Sequence, residues 1–542
     1  MPNGVRFLSK VSKVSPLTDK EVSTTQRKKK KKKRSKRENE TSTTKIRFSQ
    51  KKKEEIEEST KDEKHRHVQH HEKLKGMDSY IYSMTSDENS MIITGALLTK
   101  GVVMNRQAIL DRVKERVVEK HERFRCTIVD GGTTWKAATV DLSYHVKFAH
   151  LDRSRSLREM VTDHTNLRLD MSRPPWQVEF ISDWKGEVVA IVFRVHHVIG
   201  DGLSMMLMLY SLLDDADASD PYKDLPLGKR KVPFCLMLIY ILRVVLLFPF
   251  SLLWLLFMRS DQRNVLHRNA NDTNYQTQVF WSKPVSLKSV KTLRKRARCS
   301  VNDLFSAVVA GALRRYFLDV GESVEHDITS VIPVSVRRLG TKQLKINNQV
   351  SSVFLRLPIS VSDPIKRLKK TKKRMDGLKY GAQIWAVFFA TRLVAMLPRK
   401  LALYLNDMYI KRCSLIFSNV PGKTKGSGVL DNQILGILGV VPGASFGVTC
   451  VTYDGNCFLT VTGHSGMPRV ELIAKYFNSE FLALQKVFNC QDDEDPVTQL
   501  QLRQEHAGWL RGASERSDIA KGLVPVYDVP ALPSYSTSSV VS

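Results

Sequence analysis

The sequence predicts a mixed α/β (α+β) fold, helices packed on sheets, built in two successive ordered regions. Three observations lead there. Helical and strand periodicities alternate over 77–225 and again over 273–490, and apolar residues make up 42% of the chain, enough for substantial cores. A hydrophobic stretch within 226–272 separates the two regions. Strongly biased segments, 1–76 and 491–542, lie outside both. At 542 residues the chain exceeds a single domain of ~100–200 residues.

In chain order, the apolar patch at 91–98 has strand character. Over 105–123, Ile109, Leu110, Val113 and Val117 recur at helical spacing, and 124–129 returns to a strand pattern. Residues 157–167 can form a further helix. The run 187–195 (EVVAIVFRV) is a buried strand, and 203–213 is an apolar helix that opens after a glycine. In the second region, 301–316 (VNDLFSAVVAGALRRY) is a helix with Asn302 and Asp303 near its start. Residues 328–336 and 350–357 read as strands, 384–405 as a helix, and 415–419, 447–451 and 457–461 as strands. No solenoid-type repeat recurs at 20–50-residue periods.

The stretch 232–258 is the most hydrophobic in the chain. Its only charged residue is Arg243, and Pro233 and Pro249 interrupt it. A spanning helix needs ~20 apolar residues, so the length suffices; a buried core helix is the other reading. Lys229, Arg230 and Lys231 precede it, and Arg259, Arg263 and Arg268 follow. Basic flanks on both sides favour the cytosol for both.

The formal charge is +30, and its distribution decides what it means. Residues 1–76 carry 24 Lys/Arg against 11 Asp/Glu, and from Arg27 to Arg37 only Ser35 is not basic. Like charges at that density repel, with little apolar surface to bury. The expectation is a disordered arm: a solvated tail, a polybasic patch for anionic membrane or a nuclear-type signal. No nucleic-acid-binding motif accompanies the charge, so nucleic acid is not an expected partner. His65, His67, His70 and His71 lack a Cys or carboxylate framework, and no metal site is assigned. The seven cysteines are scattered and never spaced CxxC, which excludes an obvious disulfide framework or zinc ribbon and favours a reducing compartment. Lys10, Lys13, Asp19 and Lys20 break any secretory signal core. The tail 491–542 turns acidic, then rich in Pro, Ser and Val, and reads as disordered.

Chemistry concentrates in Phe193-Arg194-Val195-His196-His197-Val198-Ile199-Gly200-Asp201-Gly202. A buried strand delivers two histidines, and a Gly–Asp–Gly turn then opens a helix. Histidine, with an ordinary pKa near ~6.5, suits proton transfer at neutral pH if one ring nitrogen faces substrate and the other is fixed by a hydrogen bond. An Asp four residues on can brace the strand end, and the glycines permit a tight backbone. A His-His pair alone would read as one core and one surface histidine; the full HHxxxDG string between strand and helix favours catalysis.

This chain resembles the wax ester synthase/diacylglycerol acyltransferases, within the CoA-dependent acyltransferases of chloramphenicol acetyltransferase type. Beyond the HHxxxDG string, Met77-Asp78-Ser79 is similar to that family's opening and Arg123-Phe124-Arg125 to its RFR segment. Tyr144-His145-Val146 resembles its YHV strand, and Arg173-Pro174-Pro175-Trp176 its RPLW box. Asn302-Asp303, Pro333-Val334-Ser335-Val336-Arg337 and Ser418-Asn419-Val420-Pro421-Gly422 are similar to its ND, PVSxR and SNVPGP motifs. Pro175 replaces the Leu of RPLW, and Lys423 the second Pro of the loop.

The resemblance implies two acyltransferase domains, 77–225 and 273–490, with an active-site channel at their interface. It implies O-acyl transfer from acyl-CoA, a co-substrate rather than a bound cofactor, to a fatty alcohol or diacylglycerol. His197 would be the general base and His196 a supporting residue. Asp201 would brace the turn, Gly202 would supply backbone freedom, and Asn302 and Asn419 could shape the substrate site or serve only as cap and turn residues. A different hydroxyl or amine acceptor, or a catalytically lapsed lipid-surface binding protein, are the alternatives. If both halves build one site, 232–258 cannot cross a membrane once. The expectation is a segment broken at Pro249 that dips into one leaflet, at the cytosolic face of the endoplasmic reticulum, a lipid droplet or the plasma membrane.

Overall fold

The computed structural model describes residues 72–490, apart from 87–88, 104, 152–153, 217–233, 269–275, 338–344, 380 and 443–444. The histidine-rich stretch, nearly all of the basic arm, the 229–231 flank and the tail lie outside the described residues. Two large sheets carry the fold. The first has six strands in the order Gly428–Val429, Asn432–Val440, Ile92–Lys100, Val188–His196, Trp176–Ser182 and Val146–His150. Its pairings are antiparallel, except that Val146–His150 runs parallel to Trp176–Ser182. The second has seven strands: Val350–Leu357, Ile328–Ser335, Leu415–Val420, Phe446–Tyr453, Asn456–His464 and Thr277–Trp281 in order, with Val285–Ser286 also paired to Asn456–His464. Each sheet has its own apolar core.

A division at residue 273 does not follow these sheets. Residues 428–440 leave the second region and pair with Ile92–Lys100 in the first, Leu438 opposite Ala96 and Val440 opposite Thr94. Local periodicity identifies strands but not distant partners, so this exchange left no trace in the sequence pattern.

Several elements differ locally from expectation. The helix expected over 105–123 is Arg106–Val113 followed by a wide π turn, Lys114–Val118. The helix expected over 384–405 is two helices, Gln383–Val394 and Arg399–Ile410. Pro398 stands between them; it lacks an N–H and cannot continue the first. Conversely, Pro249 does not break the apolar segment: Phe234–Phe257 is one helix of 24 residues, ~36 Å long, with that proline inside it. It lies along Gln383–Val394, where Phe248 meets Phe389 edge-on at 5.7 Å and Trp385 Nε1 donates to Tyr240 Oη (3.2 Å). Only Leu255 and a few neighbours turn inward. The outward face, from Leu238 to Phe257, is bare, and so are Phe389 and Leu393 of Gln383–Val394, Met396 in the turn after it, and Leu401 and Tyr404 of Arg399–Ile410.

Candidate active site

The strand Val188–His196 ends at the first histidine, and the chain turns into the helix Gly202–Leu212. His196 is buried. Its Nδ1 accepts from Val198 N–H (3.2 Å), so its proton sits on Nε2 and is donated to Thr85 Oγ1 (3.1 Å). Burial, with neighbouring His197 adding to it, pushes its pKa down to about 3. It is a neutral packing group whose backbone N–H is held by Pro175 O (2.9 Å).

His197 faces a cavity of about 730 Å³. Its Nδ1 lies 3.1 Å from Asn348 Oδ1. The orientation of that amide is forced: Asn348 Nδ2 is surrounded by Asp78 Oδ1 (2.9 Å), His197 O (2.8 Å) and Val198 O (3.1 Å), which only accept. Asn348 Oδ1 must therefore face the imidazole, so Nδ1 carries the proton and Nε2 keeps its lone pair. Asp78 is fixed in turn by Arg123 (2.6 Å), which also donates to Ile199 O (3.1 Å). Burial lowers the His197 pKa; a hydrogen bond to its own backbone carbonyl, then the Asp201 charge, the bond to Asn348 and the Asp78 charge pull it partly back. The ring is a free base at neutral pH.

Asp201 does not hydrogen-bond to the imidazole. Its Oδ1 caps the helix by accepting from Ser204 N–H (3.0 Å), while Oδ2 accepts from Arg337 Nη1 (2.6 Å) and Gln349 N–H (3.0 Å). Arg337 also bonds Ser204 Oγ (2.7 Å), and this pair is almost wholly buried. Gly202 lacks the special backbone conformation expected of it: it is the first helical residue, and its φ is not positive. A Cβ there would make an ordinary contact, 3.4 Å from Val420, so neither backbone nor space demands a glycine at this position. Gly200 is the tighter position, where a Cβ would fall 2.5 Å from Ser204 Cβ.

Asn302 and Asn419 bond to each other (2.6 Å), and neither lines the cavity. Strand alternation explains this. Along Leu415–Val420, Asn419 shares a face with Phe417, which is packed into the second core, whereas Ser418 shares the opposite face with Ile416 and Val420. Ile416 lines the His197 cavity and Val420 abuts Gly202; Ser418 shares their face of the strand, although it does not itself line the cavity. The helix that begins near Asn302 is capped instead by Ser300, in a capping box with Asp303. Lys423 is buried against Asp215, tying the loop after this strand to the end of Gly202–Leu212.

Asn348 was missed as a site residue. Ser418 stood within a recognised motif, and strand alternation sets it on the face of Ile416 and Val420, opposite Asn419. Asn348 carries no local signal, because its role depends on a contact 151 residues away. Asp78, Arg123 and Arg337 stood inside recognised motifs without an assigned task.

The cavity suits a lipid chain. Its walls include Met77, Ile81, Val350, Val387, Val394 and Leu255 of the exposed apolar helix, with Asp261, Arg263 and Lys411 among the polar residues. Its volume is within the ~300–1,000 Å³ of small-molecule sites.

Comparison with known proteins agrees with this geometry. Residues 74–231 match the wax ester synthase/diacylglycerol acyltransferase catalytic domain, and 346–485 match the C-terminal domain of the same family. A putative diacylglycerol O-acyltransferase of Mycobacterium bovis is 24% identical over 375 residues, 64% of this chain and 82% of that protein. Wax ester synthase/diacylglycerol acyltransferase 9 of Arabidopsis thaliana is 22% identical, over 59% of this chain and 77% of its own length. Among solved structures, the wax ester synthase/diacylglycerol acyltransferase of Marinobacter aquaeolei superposes with a TM-score of 0.55 at 18% identity, covering 77% of this chain and all of that one, a likeness of fold. With matches to both family domains over more than half its length, and Asn348 of the second hydrogen-bonded to His197 of the first, the chain belongs to the wax ester synthase/diacylglycerol acyltransferase family.

Proposed function

We propose that the chain transfers a long-chain acyl group from acyl-CoA to the hydroxyl of a fatty alcohol or of diacylglycerol, with His197 as general base. The observation that carries this is the forced Asn348 amide, which leaves His197 Nε2 unprotonated at an apolar cavity. Nε2 takes the hydroxyl proton as the oxygen attacks the thioester carbonyl. The tetrahedral intermediate collapses with cleavage of the C–S bond, and the CoA sulfur leaves with the proton from His197. The Ser418 hydroxyl is our candidate donor to the oxyanion, a role typically worth ~2.7–4 kcal/mol. The thioester is already activated, so holding both substrates against one base supplies much of the rate. Purified protein incubated with palmitoyl-CoA and either hexadecanol or diolein tests the reading: ester plus an equal amount of free CoA supports it, and thioester left intact with both acceptors refutes it.

The setting we propose is a lipid surface facing the cytosol, of the endoplasmic reticulum, a lipid droplet or the plasma membrane. Two features support it. The helix Phe234–Phe257 forms part of the cavity wall through Leu255, and its other face is exposed and apolar, Phe257 being 81% exposed. His197 precedes this helix and Asn348 follows it, yet the two share a hydrogen bond. Among the described residues only this helix is long and apolar enough to cross a bilayer, so a single crossing would separate bonded partners. An interfacial helix keeps them together and opens the cavity toward its lipid acceptor. Charged substitutions at Phe257 and Met396 should abolish liposome flotation while leaving turnover in detergent intact; unchanged flotation would refute this setting.

A further inference from the structure

A second concavity, of about 750 Å³, lies on the second sheet's side of the molecule and is lined by Lys288, Lys291, Lys295, Arg296, Thr424 and Gly455, among others. The helix Leu287–Arg296 supplies its cations: Val290 and Leu293 are buried beneath, while Lys288, Lys291 and Lys295, spaced three and four apart, share one exposed face. No carboxylate lines the cleft. Between Ser286 and Val301 there are six Lys or Arg and no Asp or Glu. The helix dipole explains cations in the last turn but disfavours Lys288 in the first. Like charges at this spacing repel, a cost that a bound polyanion would offset.

The position of the cleft identifies the anion. Thr424 follows the end of the strand Leu415–Val420, and Leu287 N–H bonds Gly455 O (2.7 Å) at the turn between Phe446–Tyr453 and Asn456–His464. Leu415 and Ile416, at the start of the same strand, line the His197 cavity. The six-residue strand is ~17–20 Å long. Between the two concavities, Val420 abuts Gly202, and a Cβ at Gly422 would lie 3.3 Å from Met206 of the helix that follows the histidines. The apolar helix Phe234–Phe257 ends beside Arg412, whose Nη1 donates to Leu256 O (3.1 Å), at the cavity end of the strand. The basic cleft is therefore at the end away from the lipid-facing helix.

We propose that this cleft holds the phosphorylated nucleotide end of acyl-CoA, with Lys288, Lys291 and Lys295 pairing with its 3′-phosphate and pyrophosphate. The thioester then reaches His197 past the 421–424 loop while the acyl chain occupies apolar space. This rests on the acyl-CoA reading above and gives that substrate its second anchor.

The test is the variant Lys288→Ala/Lys291→Ala/Lys295→Ala, compared with wild type on palmitoyl-CoA and on S-palmitoyl-N-acetylcysteamine, which lacks the nucleotide. The ratio of kcat/KM for the two thioesters should fall about 30-fold or more, because three partly solvated charge-assisted contacts are removed. The loss should fall on KM. Adenosine 3′,5′-bisphosphate should compete with palmitoyl-CoA in wild type and lose that competition in the variant. An unchanged ratio, or an equal loss on both thioesters, overturns the proposal. Lost binding to phosphatidylglycerol vesicles with intact CoA kinetics also overturns it, assigning the lysines to a lipid surface. Wild type that turns over neither thioester refutes acyl transfer itself. Calorimetry with adenosine 3′,5′-bisphosphate then still decides the cleft: binding lost in the variant supports it, and equal binding refutes it.

Discussion

Replacing Asn348 with alanine removes four contacts at once: the acceptor of the His197 Nδ1 proton at 3.1 Å and the donations to Asp78 (2.9 Å), His197 O (2.8 Å) and Val198 O (3.1 Å). Asp78 and Val198 O keep Arg123 as a partner, at 2.6 and 3.3 Å. The stability loss should therefore be small for so many bonds, about 1–3 kcal/mol at ~1 kcal/mol per uncompensated bond. Activity should suffer more. With only its own backbone carbonyl left to hold Nδ1, the ring can rotate or take the other tautomer, and kcat should fall on the order of 10²-fold, toward ~10⁴ if the wrong tautomer prevails. Because Asn348 does not line the cavity, KM should move little. The bond to Asn348 raises the His197 pKa, so its loss should move the acid limb of the kcat profile to lower pH. Asn348→Asp is nearly isosteric yet should be less stable than Asn348→Ala, because its second oxygen would face three acceptors. Steady-state kinetics from pH 5 to 8 with thermal melts of both variants check this. A kcat within threefold of wild type and an unmoved acid limb would refute the positioning role.

Asp201→Ala should lose about 3–5 kcal/mol together with activity, since it strands the buried Arg337 and removes a helix cap; Arg337→Met added to it should restore part of the melt. A stable but inactive Asp201→Ala protein would instead implicate the carboxylate in the reaction. Ser418→Ala should lower kcat by ~10²–10³ with KM within threefold; a near-normal kcat would remove it from the oxyanion site. His196 and His121 are both buried and neutral, with pKa values pushed down to about 3 and about 4. Their contribution is complete above the unfolded value of ~6.5 and is lost as pH falls toward those figures, roughly 2 kcal/mol each at pH 5. Denaturant melts at pH 7 and pH 5 read this, and equal stability at both would contradict it.

What the sequence disclosed and what it withheld divide along range of interaction. The strand, turn and helix around His196–Gly202 are local, and their pattern was visible in alternation and turn chemistry. Ser418 and Asn419 show the limit of a motif read as a string: adjacent strand residues point to opposite faces, and Asn419 bonds to Asn302 away from the cavity while Ser418 lies on the face of Val420, the neighbour of Gly202. Asn348, the strand Asn432–Val440 and the Asp201–Arg337 pair depend on partners at least 130 residues away. Periodicity carries no record of such pairings. The glycines tell a related story. Gly202 was expected to relax the backbone, but its φ is not positive, and the steric demand falls instead on Gly200, where a Cβ would meet Ser204 and, at 3.2 Å, Ile346 from the second region.

His197 as general base is tested most directly by the activity of His197→Ala beside wild type, with palmitoyl-CoA and the preferred acceptor, each protein first shown to melt at a comparable temperature. The kcat of His197→Ala should be at least ~10²-fold lower with liposome binding unchanged, because only the base at the cavity has been removed. Ester formation within tenfold of wild type would contradict it.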